Sequence, residues 1–81
     1  MSYWKIISIT HNEKEHSQRQ MQWQSMPYMH FIDAQEDFII KIAQYINMKT
    51  RKFAGLSPDG KTATFKEDDI IWEIRIITEC E

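Results

Sequence analysis

Three histidines, one cysteine and a short acidic run are the residues of this chain that could do chemistry, and their spacing limits what they can do. His11 and His16 lie five apart in a polar stretch, and His30 stands alone before an apolar run. A metal pair on a helix needs a spacing of three or four, and the HExxH pattern is absent. Cys80 could join a ligand set only by tertiary accident, so no metal site is expected. The run "KEDD", with Glu67, Asp68 and Asp69, offers oxygen ligands but lacks the alternating acids and central glycine of a calcium loop. Acidic residues at a hairpin turn need no ion to explain them, because they solvate the turn. The nuclease pattern is half present: "PDG" occurs, but "TFK" stands where an acid–x–lysine should follow.

Nucleophiles fare no better. Cys80 sits between Glu79 and Glu81, without the cationic neighbours that activate a thiolate. No serine lies in a GxSxG elbow, and Gly55 and Gly60 alone cannot build a phosphate-cradling loop. The expectation is a protein that is not an enzyme and carries no cofactor.

Charge is more informative. Residues 38–66 hold Lys41, Lys49, Arg51, Lys52, Lys61 and Lys66 against Asp59, whereas residues 67–81 hold Arg75 against six acids. The net charge is only −2, so the chain is polarised without being basic. Lys49, Arg51 and Lys52 could contact phosphates, with Arg19, Trp23 and Tyr28 adding stacking and hydrogen bonds, which makes nucleic-acid binding the alternative function. Cations after a helix also suit its negative pole without any ligand.

The stretch "HSQRQMQWQSMPYMHF", residues 16–31, is the least ordinary. Glutamines occupy even positions from Gln18 to Gln24, with Arg19, Met21 and Trp23 between them. Period two predicts a strand, and Pro27 would break a helix. Arg19, Met21, Trp23, Met26, Tyr28 and Met29, rimmed by glutamine, have the composition of a protein-contact surface.

The elements that must position these residues follow from patterning. "SYWKIISIT" is β-branched and aromatic and predicts a strand with Trp4, Ile6 and Ser8 on one side. Asp33 with Glu36 reads as an N-cap and capping box, opening an amphipathic helix over about 34–51. Its apolar face is expected to hold Phe38, Ile39, Ile42 and Ile46. Gly55 is expected to turn the chain after it. "SPDG" is strong turn chemistry between strands near 53–56 and 61–66. "KEDD" is a second turn, and "IIWEIRIIT" is a final, central strand with Ile70, Trp72, Ile74 and Ile76 beneath the helix. The expected order is β-β-α-β-β-β, an α+β two-layer domain covering residues 1–81.

At 81 residues and 42% apolar content, the chain is one small domain with a marginal core. A single cysteine and no signal-peptide pattern suggest a reducing, cytoplasmic setting, and no apolar run is long enough to span a membrane. The expected function is a small module that occupies a partner protein's surface, of the inhibitor, adaptor, immunity-protein or antitoxin kind. Such compact chains are frequent among phages and mobile elements. Trp23, Met21, Met26, Tyr28 and Met29 are the expected anchors. Arg19 and the acidic "KEDD" and C-terminal ends would steer the partner, and an open sheet edge offers a route to homodimerisation.

Overall fold

The computed structural model describes residues 2–14 and 18–80, so His16 lies outside the described residues. Five strands and one helix follow in the order β1 (Ser2–Asn12), β2 (Gln20–Gln24), α1 (Phe31–Ile46), β3 (Lys52–Leu56), β4 (Thr62–Glu67) and β5 (Ile70–Cys80). The strands form one antiparallel sheet ordered β2-β1-β5-β4-β3, with α1 across one face. This is the α+β two-layer arrangement expected from the patterning. No helix among the described residues is long and apolar enough to cross a membrane.

β1 and β5 are the spine, paired without interruption from Ser2 opposite Cys80 to Asn12 opposite Ile70. Both are rich in isoleucine, whose branched side chain packs well on a pleated, buried surface. Ile6, Ile74 and Ile76 meet Ala63 and Phe65 of β4 and Ala34 and Phe38 of α1 to make the core. Trp4, Tyr28, Phe31, Ile42, Tyr45 and Trp72 close its rim.

The turns form as their chemistry dictates. The Gly60 N–H donates to the Ser57 carbonyl at 2.9 Å, with Gly60 at φ +72°. Asp59 accepts from the Ser57 hydroxyl and from the Lys61 N–H, and these bonds hold its carboxyl below the usual range, the Ser57 bond most. Asp68 and Asp69 alone connect β4 to β5, with Asp68 in the left-handed region at φ +53°, which aspartate tolerates.

The helix departs from expectation at both ends. It begins at Phe31, not after Asp33: His30 is the N-cap, without a side-chain cap bond, and Asp33 lies in the first turn. The cause is tertiary. Tyr28 exchanges two backbone hydrogen bonds with Trp4, at 2.7 and 3.0 Å, and Phe31 packs edge-on against the Trp4 ring. Those contacts pin the chain to β1 before the capping box is reached. At the other end α1 stops at Ile46, so Lys49, Arg51 and Lys52 follow it and no basic residue occupies its last turn. The Met48 N–H closes on the Tyr45 carbonyl, and the chain folds back to lay the Arg51 guanidinium 3.7 Å from the Trp72 ring and 4.7 Å from the Tyr45 ring.

Two further expectations are corrected. Gly55 does not turn the chain after the helix; it lies within β3 at φ +141°, where the pairing skips Ala54. β2 is a strand, yet its alternation fails: Trp23 pairs with Ser8 and Met21 with Ile9, leaving Gln22 as an extra residue. This bulge sends Trp23 to the helix side of the sheet and Met21 to the opposite side.

Candidate functional site

The expected anchors do not form one surface. Met21 is exposed on the sheet face away from α1. Arg19 points back to that same face, 3.7 Å from the buried carboxylate of Glu73, so it is an internal partner before it is a free cation. Tyr28 is half-buried, and its hydroxyl donates to Asp37 at 2.6 Å. Burial, then the hydrogen bond and charge of Asp37, raise this phenol above its ordinary value. Met26 and Met29 are exposed on the lead-in to α1. Trp23 is 40% exposed and lies under Lys41, whose Nζ is 4.6 Å from the indole centroid.

The charges expected to steer a partner are largely engaged within the molecule. Glu67 lies 3.7 Å from Arg51, Asp69 lies 3.5 Å from Lys14, and Glu79 binds both Tyr3 and Lys5. The basic group divides in the same way. Arg51 is stacked between two rings, while Lys49 and Lys52 remain exposed. Lys52 opens β3 at one edge of the sheet, and Trp23 lies in β2 at the other. Four strand spacings, about 19 Å, separate those edges, so the aromatic and basic halves of a nucleic-acid surface are not adjacent.

A different surface emerges from α1. Ala34 and Phe38 are its buried residues, whereas Ile39 and Ile46, assigned to the core face by periodicity, are 59% and 53% exposed. Ile32 is also exposed. These three isoleucines recur every seven residues, two turns, and so form one stripe along the helix. Asp37 and Lys41 mark the flank toward β2, through Tyr28 and Trp23. At 100° per residue, Ile39 lies about half a turn around from both. Its flank is therefore the one toward β3, where Phe53 and Leu56 pair with the buried residues Phe65 and Ala63 and are exposed on the helix side. Ile32, Ile39, Ile46, Phe53 and Leu56 thus make an open apolar strip. Sequence reading missed it because isoleucine falls on several sides of the helix; Ile32 ahead of the expected helix start was the available signal. No family model, curated protein or solved structure matches this chain.

Proposed function

We propose that the protein acts by binding another protein, with the apolar strip between α1 and β3 as its principal contact. The carrying observation is the exposure of Ile32, Ile39 and Ile46 at two-turn intervals beside Phe53 and Leu56, in a domain that buries few large apolar side chains. Exposed apolar area of this kind on a small domain marks an interaction surface. A rigid helix presenting anchors two turns apart suits a partner that brings an amphipathic helix or its groove against it. The module would work by occupying the partner's surface, as an inhibitor, adaptor, immunity protein or antitoxin does, in a reducing compartment where Cys80 stays a thiol.

A second copy of the chain is a natural first candidate, and the helix is a better route to it than the sheet. Both edge strands are five residues long and each carries a bulge, a feature that discourages strand addition. Affinity capture from the native source, with the wild-type chain beside Ile39→Lys, tests the reading. A protein, or a second copy, retained by the wild type and lost by a folded Ile39→Lys variant supports it. Equal retention by both shows that the strip is not the contact. Nucleic-acid binding is second, carried only by the exposed Lys49 and Lys52.

A further inference from the structure

We propose that the crevice between β2 and α1 is a binding site for a small planar anion, a single aromatic ring bearing a carboxylate. α1 packs on β1, β5 and β3, leaving β2 standing beyond its edge. The space between holds a cavity of about 230 Å³ lined by Ser8, Trp23, Lys41, Tyr45 and Ile74. A dry cavity of about 150 Å³ is enough for benzene, so this one has room for a ring and one polar substituent.

Ser8 is the first sign that the cavity takes a ligand. It is 1% exposed, and its hydroxyl is buried without a hydrogen-bond partner among the described residues. It lies on β1 between Ile6 and Thr10, at an inward position of the strand. Buried hydroxyls are almost always satisfied by protein, water or ligand. Lys41 is the second sign. It is half-buried on α1 and has no carboxylate partner among the described residues, its contact being the Trp23 ring. Among the described residues no acid lines the cavity, so its electrostatics favour an anion. The indole of Trp23 and the ring of Tyr45 supply flat walls, and Ile74 an apolar base. A bound aromatic carboxylate would place its ring between those walls, its charge on the Lys41 ammonium and a polar atom against Ser8. None of the apolar strip residues of the protein contact lines this site, so the two readings stand or fall separately.

Sodium benzoate is the probe, with benzyl alcohol as its uncharged counterpart, and proton–nitrogen NMR spectra as the readout. Benzoate is expected to shift the Trp23 indole N–H and the Ser8 amide saturably, with a dissociation constant of roughly millimolar, the range open to so small a ligand. Lys41→Met should weaken benzoate about tenfold or more and leave benzyl alcohol unchanged, which corresponds to losing one charge-assisted contact. Ser8→Ala should weaken both. The spectra themselves report that each variant is folded. Absence of a saturable shift, with water contacts to Ser8 persisting in excess benzoate, would overturn the proposal in favour of a hydration site. Equal affinity for the two probes, or no effect of Lys41→Met, would overturn the assignment to an anion.

Discussion

The sheet face turned away from α1 and the outer flank of α1 are both open to solvent, and they treat isoleucine in opposite ways. On the sheet, Ile7 is only 7% exposed, and Ile9, Ile71 and Ile77 are half-buried. Long polar side chains accompany them on that face. Arg75 pairs with Glu73, Arg19 joins the same carboxylate, and Tyr3 and Lys5 converge on Glu79. The cross-strand pairs Ile7–Arg75, Ile9–Glu73 and Lys5–Ile77 put apolar and charged residues side by side, so the charged stems cover their neighbours. The helix flank has no such cover: Ile32, Ile39 and Ile46 stand open. An uncovered sheet is therefore not by itself an interface, and an outer helix flank can be one. What distinguishes them is whether the chain supplies its own side-chain cover.

Phe38→Ala empties the position where the helix meets the core and should cost about 3–5 kcal/mol, read as a lowered urea midpoint. A loss as large from Ile39→Ala would mean that the outer flank is core after all. Glu73→Ala removes the acceptor shared by Arg19 and Arg75. Because both arginine heads are partly exposed and can re-solvate, the expected cost is about 1–3 kcal/mol, and raised salt should not reproduce it if the carboxylate is as buried as it stands.

Tyr28→Phe should cost about 1 kcal/mol at neutral pH through the lost bond to Asp37. The phenol is raised in the folded state, so its contribution is fully present below its ordinary value of 10.0 and is lost as pH rises through the folded value. Wild-type stability should therefore fall in alkali above pH 10 more than that of Tyr28→Phe, as measured by urea unfolding across that range. Ile39→Lys should change stability least, within about 0.5 kcal/mol, while abolishing partner capture. The separation between its two readouts is the sharpest measure of the contrast.

Much of the architecture was legible because it rests on local rules. Alternation along β1 and β5, and the "SPDG" turn, predict what is found, down to Ile74 and Ile76 beneath the helix. The misplaced features arise from tertiary causes. Phe31 starts the helix because Trp4 receives it, a contact between residues far apart in sequence. Met21 and Trp23 part company because β2 carries one residue more than its partner, which no count within the strand reveals. Ile39 and Ile46 satisfy the helical period as well as the residues that are buried, so periodicity alone could not rank the sides. The crevice left one trace in sequence: Ser8, a small polar residue amid isoleucines at an inward position of β1.

The extra residues at Gln22 and Ala54 also interrupt the pairing at both edges of the sheet. Deleting Gln22 would let Met21 and Trp23 follow one another in regular pairing with Ile9 and Ser8, and would straighten that edge. A straight edge strand bearing methionine, tryptophan and glutamine is a template for stacking chain upon chain. A Gln22 deletion is therefore expected to shorten the lag time of dye-binding aggregation in concentrated solution.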